Sequence, residues 1–185
     1  MSRIDSFIRR LESQRACLDW AAGQIAGDPG PILEMGLGNG RTYDHLREKC
    51  PGRDIFVFDR EINAHPDCIP PADRMVLGDF ADTLPAAARR FAGQAVLVHA
   101  DTGTGDEAKS RARAALWAPF WHAMLKPGGL LLSDQPVDFA GLLPQPEQSV
   151  QGWRYFIYRR DDGAAPRQLE GGATSFDAAA GGIAG

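Results

Sequence analysis

Five short runs divide the middle of the chain, and each is mostly apolar at consecutive positions rather than at alternate ones. They span residues 32–35, 55–58, 75–77, 95–98 and 130–132. Such runs are typical of parallel strands that are buried on both faces. Stretches of helical length lie between them, at 41–50, 81–92 and 106–125. The alternation predicts an α/β fold: a Rossmann-like, doubly wound, mostly parallel sheet with helices on both faces.

The regions on either side of this core have different patterns. Residues 3–26 predict an amphipathic N-terminal helix, although Gln14 and Arg15 interrupt its apolar stripe. Residues 153–160 are aromatic and β-prone, and they predict an antiparallel last strand because no crossover helix precedes them. The Pro- and Gln-rich segment 135–152 is a candidate cap over the site.

Length and composition indicate one domain. A chain of 185 residues suits a single hydrophobic core. We assign that domain to residues 1–160, with the N-terminal helix in 1–28 and the α/β core in 30–135. Residues 161–185 are rich in Gly and Ala, so we expect a flexible tail there. Pro119, inside the last predicted core helix, is a candidate site for a kink or break.

Charge and cysteine usage exclude several classes of protein. A formal net charge of -4 gives no field that attracts nucleic acid or an anionic membrane. The three cysteines form no Cys-x-x-Cys pair, which fits a reducing cytoplasm. Charged residues interrupt the apolar stretches near the N-terminus, so we expect no signal peptide, and no run approaches the ~18 apolar residues of a membrane span. We therefore expect a cytoplasmic protein, with the N-terminal helix as a candidate homo-oligomer interface.

The most informative segment follows the first predicted strand and opens the first core helix. Glu34 precedes Gly36, Gly38 and Gly40, which stand at strict alternation, and Arg41 follows. Glycine is needed where the backbone turns sharply or where a ligand touches the main chain directly. A nicotinamide-type loop reads G-x-G-x-x-G, and here Arg41 occupies the position of its third glycine. This spacing argues against a nucleotide-binding oxidoreductase, which is the first alternative on a similar sheet.

The pattern Glu-x-Gly-x-Gly-x-Gly resembles the first motif of class I S-adenosylmethionine-dependent methyltransferases. The resemblance covers about residues 30–135 and implies a small, single-domain enzyme that uses S-adenosyl-L-methionine and releases S-adenosyl-L-homocysteine. In that family the acid helps to hold the methionine end of the cofactor, and the cofactor lies against the glycines. The implied contacts are Glu34, Gly36, Leu37, Gly38, Asn39, Gly40, Arg41 and Thr42.

Acidic residues recur at the ends of the next predicted strands. Asp59, followed by Arg60, ends the second run about 20 residues past the glycine loop, where a carboxylate can accept from both ribose hydroxyls. Gly78, Asp79 and Phe80 end the third run. The resemblance implies that this acid contacts the adenine amino group and that apolar neighbours pack the ring. Each strand-end Asp is alternatively only a helix N-cap.

The fourth run ends in His99, Ala100 and Asp101, and the resemblance implies contacts there with the methionine end or the substrate. Methyl transfer is an in-line displacement in which the cofactor supplies the reactive methyl group. The protein must align a nucleophile with the methyl group and exclude water. Asp101 and His99 are the catalytic candidates. His99 is either a general base or a histidine packed at a strand end.

Asp134 and Gln135 end the fifth run and raise a metal alternative. Magnesium-dependent O-methyltransferases of the catechol type have an Asp after the fourth strand and an Asp-Asn pair after the fifth. Asp101, Asp134 and Gln135 match those positions, but the longer amide displaces a ligand by about one methylene, which magnesium tolerates poorly. We therefore assign no metal ligands and keep magnesium as a less favoured alternative.

The acceptor is expected to be a small molecule, because little of the chain lies outside the core to form a larger binding surface. No macromolecular partner is expected. The second alternative is a non-catalytic protein that binds S-adenosylmethionine or another nucleotide, since methyl transfer demands few catalytic side chains.

Overall fold

The computed structural model describes residues 2–146, 148, 155–161 and 163. The strands are β1 (Ile32–Met35), β2 (Ile55–Asp59), β3 (Met75–Leu77), β4 (Ala95–Ala100), β5 (Leu125–Ser133), β6 (Leu142–Pro144) and β7 (Phe156–Arg160). The helices are α1 (Arg3–Ile25), α2 (Arg41–Lys49), α3 (Phe80–Arg90) and α4 (Glu107–Met124). Two short 3₁₀ helices, Pro66–Cys68 and Ala72–Arg74, lie between β2 and β3. Within these described residues, the strands form one sheet in the order β3-β2-β1-β4-β5-β7-β6.

The predicted parallel part of the sheet is confirmed. β1 pairs with β2 and β4 in parallel, β2 with β3, and β4 with β5. The core helices connect these strands as the sequence predicts. α4 continues through Pro119 to Met124, so the proline does not end the helix.

The far edge of the sheet is antiparallel. β7 pairs antiparallel with β5 and β6, which confirms the predicted last strand over 156–160. β6 lies in the segment predicted as a cap and was missed, because it has three residues, one of them proline, and only Leu142 is buried. Residues 147 and 149–154 of this region lie outside the described residues, as does the predicted tail apart from Asp161 and Gly163.

Hydrophobic clusters cover both faces of the sheet. α1 and α2 pack on one face, where Leu18, Ile25 and Leu46 are buried. α3 and α4 pack on the other, around Phe58 and Trp121. β4 is buried at all six positions, which explains its unbroken apolar run. None of the described helices combines the length and the apolar character needed to cross a membrane.

A capping box begins α1. The Ser2 hydroxyl accepts from the backbone N–H of Asp5, and the Asp5 carboxylate accepts from the backbone N–H of Ser2, each at 3.1 Å. This half of the helix is exposed on its outer side, where Ile4 and Ile8 remain 72% and 47% accessible. The role of this surface in oligomerisation stays a prediction.

Candidate functional site

The glycine loop connects β1 to α2 at the carboxyl edge of the sheet. Gly36, Gly38 and Gly40 have φ of 98°, 50° and 83°, a region that favours glycine. A Cβ on Gly36 would lie 2.8 Å from the carbonyl oxygen of Asp101, and one on Gly40 would collide with Cys68. A Cβ on Gly38 would meet nothing within 4 Å. The outer glycines are therefore required by packing, whereas Gly38 faces open space.

Asp59 holds this loop to the end of β2. Its Oδ2 accepts from the backbone N–H groups of Leu37 at 2.7 Å and Gly38 at 3.1 Å. Its Oδ1 accepts from the backbone N–H of Arg60 at 2.6 Å. A carboxylate has about four acceptor positions, so Asp59 retains capacity for a ligand.

Asp79 is the N-cap of α3, and its contact with adenine stays a prediction. Its side chain caps α3 by accepting from the backbone N–H of Ala81 at 2.9 Å. It is also exposed toward a cavity at this edge of the sheet. Phe80 packs edge to face against Trp117 of α4, with ring centroids 4.9 Å apart. An acidic group and an aromatic surface therefore lie side by side.

This first cavity has a volume of about 280 Å³ and lies over the ends of β1, β2, β3 and β4. It brings together many of the residues predicted from the sequence. They are Gly36, Gly38, Asp59, Arg60, Asp79, Phe80 and Asp101. Ala100 is instead fully buried in β4, and Gly78, which follows β3 with φ 145°, does not line this cavity.

A second cavity, of about 240 Å³, lies between α1 and the glycine loop. α1 contributes Phe7, Arg10, Leu11 and Gln14, and the loop side includes Asn39, Arg41 and Thr42. Both cavities are lined by Gly36, Gly38, Asp101 and Gly103, so they adjoin at that point. Sequence reasoning missed the four residues of α1. The polar interruption of its apolar stripe at Gln14 was the available signal.

Side chains of α1 bind Asp101. The Nη2 of Arg10 donates to Oδ1 at 2.8 Å and to Oδ2 at 3.0 Å. The amide Nε2 of Gln14 donates to Oδ2 at 2.7 Å. Both carboxylate oxygens are therefore engaged by the N-terminal helix, at the point where the two cavities meet.

Beneath the loop, Glu34 and His99 form an ion pair with no solvent exposure. Glu34 Oε2 lies 2.7 Å from Nδ1 of His99, and Glu34 Oε1 accepts from the Thr42 hydroxyl. Nε2 of His99 is hydrogen-bonded to the hydroxyl of Tyr155. Burial lowers the pKa of His99, but Glu34, together with Asp101 and Asp134, outweighs burial, so the pKa lies above its ordinary value. His99 lines neither cavity, in contrast to the position expected of a general base.

Asp134 fixes the loop after β4. Its Oδ1 accepts from the backbone N–H of Thr102 at 3.2 Å, and its Oδ2 accepts from the amide of Gln135 at 3.0 Å. Burial, together with the nearby Asp101, raises the pKa of Asp134. In the part of the chain that the structure describes, no group of three or more His, Cys, Asp or Glu side chains could hold a metal ion.

Solved structures share this fold. An S-adenosyl-L-methionine methyl transferase from Silicibacter pomeroyi DSS-3 is 48% identical, with a TM-score of 0.81 over 86% of this chain and 99% of that chain. The 1,6-didemethyltoxoflavin-N1-methyltransferase of Burkholderia thailandensis is 16% identical, with a TM-score of 0.55 over 82% of this chain and 80% of that chain. At that identity the likeness concerns the fold alone. No curated protein matches the chain by sequence.

The family comparison agrees with the glycine loop and with the strand order. Residues 1–160 match the family described as S-adenosyl-L-methionine methyltransferase. The matched region contains the loop, both cavities and all the strands described above. The chain belongs to the S-adenosyl-L-methionine methyltransferases, and S-adenosyl-L-methionine is its cofactor.

Proposed function

We propose that this methyltransferase transfers the methyl group to a small-molecule acceptor by in-line displacement. The observation that carries the proposal is the pair of adjoining cavities at the carboxyl edge of the sheet. Because they meet at Gly36, Gly38, Asp101 and Gly103, one suits the cofactor and the other suits the acceptor. Reacting groups held in the two cavities would face each other at that junction.

The first cavity fits the adenosine part of the cofactor. Asp59 would accept from the ribose hydroxyls, since three backbone N–H groups leave part of its capacity free. Asp79 would accept from the adenine amino group. Phe80 and Trp117 offer aromatic surface to the ring. The open space beside Gly38 is the room that a ligand lying on the loop needs.

The junction of the cavities fits the methionine part. Bound there, the cofactor would supply an electrophilic methyl carbon. The chain must then orient the acceptor and exclude water. Arg10 and Gln14 hold α1 across the junction through their bonds to Asp101, and so restrict access of solvent. Asp101 is our candidate for contact with the reacting groups.

The second cavity suits a small acceptor. Its volume of about 240 Å³ lies just below the range of about 300–1,000 Å³ usual for small-molecule sites. Phe7 and Leu11 supply apolar surface, while Arg10 and Arg41 supply positive charge. A small polar heterocycle or a short acid matches this lining. The Burkholderia neighbour has the same fold and was crystallised with 1,6-didemethyltoxoflavin and S-adenosylhomocysteine.

The test combines acceptor size with methyl stereochemistry. We expect labelled S-adenosyl-L-methionine to methylate members of a panel of small hydroxyl, amine and thiol compounds. An in-line transfer should invert the configuration of a chiral methyl group. Transfer only to RNA or protein would contradict the small acceptor, and retention of configuration would contradict a single in-line step.

A pair of neighbouring variants tests the acceptor cavity. Phe7 and Ile8 are similarly exposed, at 48% and 47%, but only Phe7 lines the cavity. Phe7→Ala should raise the KM for the acceptor about tenfold, since it removes a large apolar contact, and leave S-adenosylhomocysteine affinity unchanged. Ile8→Ala should change neither. Equal KM values for the two variants would show that the acceptor does not bind in this cavity.

A further inference from the structure

A series of hydrogen bonds runs through the core beneath both cavities. It begins at Thr42, whose hydroxyl donates to Glu34, and continues from Glu34 to Nδ1 of His99 at 2.7 Å. Nε2 of His99 is bonded to the Tyr155 hydroxyl, and the two rings stack with centroids 5.8 Å apart. One end of the series therefore lies on the helix that follows the glycine loop.

The other end of the series lies on α1. The Tyr155 hydroxyl lies beside the side chain of Gln14, whose amide donates to Asp101 at 2.7 Å. Arg10, one turn earlier in α1, donates to the same carboxylate at 2.8 Å. The series thus runs from the start of α2, just after the glycine loop, to Asp101, which lies where the cavities meet.

The polar groups of this series are buried, so each depends on its hydrogen-bond partners. Glu34 and His99 have no exposed surface, Tyr155 is 3% exposed and Gln14 is 5% exposed. Buried polar groups are tolerated only when they are bonded, and removing one partner leaves the other unsatisfied. A defect at any position should therefore alter the orientation of its neighbours as well as the stability of the fold.

We propose that His99 and Tyr155 are positioning residues of this methyltransferase. Tyr155 fixes Gln14, and through it Asp101 and α1, whereas His99 fixes Glu34 and through it the start of α2. Together they set the geometry of the junction without touching cofactor or acceptor. The proposal rests on the cofactor site described under the proposed function, and it is independent of which acceptor is used.

The test compares two tyrosines that each bond through a buried hydroxyl. Tyr155→Phe removes the hydroxyl from the series. Tyr158→Phe is the matched control: Tyr158 is 6% exposed, and its hydroxyl accepts from the backbone N–H of Val137 at 2.8 Å, on the other face of the sheet. Both variants should lower the melting temperature by a similar small amount, because each loses one buried hydrogen bond.

Only Tyr155→Phe should weaken binding of S-adenosylhomocysteine, by about tenfold, as expected for a group that supports a binding residue. It should also speed hydrogen exchange in α1. Equal loss of melting temperature with unchanged affinity and exchange would overturn the proposal. Failure of the unaltered protein to bind S-adenosylhomocysteine would instead contradict the cofactor site itself.

His99 offers a second readout. His99→Asn keeps an N–H donor near the position of Nδ1, whereas His99→Leu keeps volume without a donor. We expect the Asn variant to retain clearly more S-adenosylhomocysteine affinity than the Leu variant, because Glu34 remains bonded. Equal affinities in two folded variants would show that the imidazole only fills space.

Discussion

The acidic residues at the carboxyl edge of the sheet have different kinds of partner in its two halves. On the side of β2 and β3, Asp59 and Asp79 accept from backbone N–H groups and, among the described residues, form no ion pair. On the side of β1 and β4, Glu34 is paired with His99, and Asp101 is paired with Arg10 at 2.8 Å. Acids at equivalent strand ends therefore have different electrostatic surroundings.

This difference separates binding from positioning. The ribose hydroxyls and the adenine amino group are neutral donors, and a carboxylate without a cation is well suited to accept from them. A carboxylate that is already paired with a cation instead holds that partner side chain in a fixed position. We infer that the acids of the β2–β3 half bind the adenosine part of the ligand. In the β1–β4 half, the pairs of Glu34 and Asp101 fix the loop and helix that enclose the ligand, and Asp101 also lies at the junction of the cavities.

The largest effect is expected at the loop between the halves. Gly38 has φ 50° and Gly93, in the turn before β4, has φ 66°, and a Cβ on either meets nothing within 4 Å. Gly38→Val and Gly93→Val should therefore cost similar stability, about 1–2 kcal/mol each. Gly38→Val alone should lose about 100-fold or more in S-adenosylhomocysteine affinity, since its side chain fills the ligand space. Calorimetry measures the affinity, and thermal unfolding measures the stability. Comparable affinity in both variants would show that the ligand does not lie against the loop.

The next test concerns Asp59, because it lies in the half whose acids form no ion pair and can accept from the ligand. Asp59→Ala should weaken S-adenosylhomocysteine about 10- to 100-fold, through lost bonds to the ligand and to the loop amides. Asp54, at the opposite end of β2, pairs with Arg74 at the surface and serves as the control. Asp54→Ala should bind like the unaltered protein. An equal, small effect at both positions would mean that the β2–β3 half does not hold the ribose.

The ion-paired half should show itself in the pH dependence of stability. Burial lowers the pKa of His99, but the carboxylates of Glu34, Asp101 and Asp134 together outweigh burial, so the pKa is raised in the folded state. Its stabilising contribution is thus complete below about pH 6.5, the unfolded pKa, and is lost as pH rises through the folded pKa. Urea unfolding at a series of pH values should show this loss, and His99→Asn should flatten it. His65→Asn, at a largely exposed histidine, is the control; identical slopes in all three proteins would contradict a charged His99.

The two halves also differ in how far the sequence could predict them. Asp59 ends and Asp79 follows a short apolar run, the first buried and the second only partly buried, so their place at the sheet edge can be read from local pattern alone. The partners of Glu34 and Asp101 lie 65 and 91 residues away in the chain, and a single sequence gives no sign of such pairings. Tyr155 and Gln14 likewise look like ordinary members of a strand-forming run and a helix. β6 was missed for the related reason that three residues with one proline carry too little periodicity.

The smallest expected effect concerns Arg10, and it tests whether the pair with Asp101 encloses the site or only stabilises the fold. Arg10 is 37% exposed, and such pairs contribute about 0–1 kcal/mol. Arg10→Gln should therefore leave the free energy of unfolding almost unchanged, as should Arg9→Gln, since Arg9 forms no ion pair with any described residue. Only Arg10→Gln should release S-adenosylhomocysteine faster, about two- to fivefold in stopped flow, because α1 loses one of the two side chains that hold it to Asp101. Equal release rates would mean that Gln14 alone holds α1 closed, and that Arg10 serves to balance the charge of Asp101.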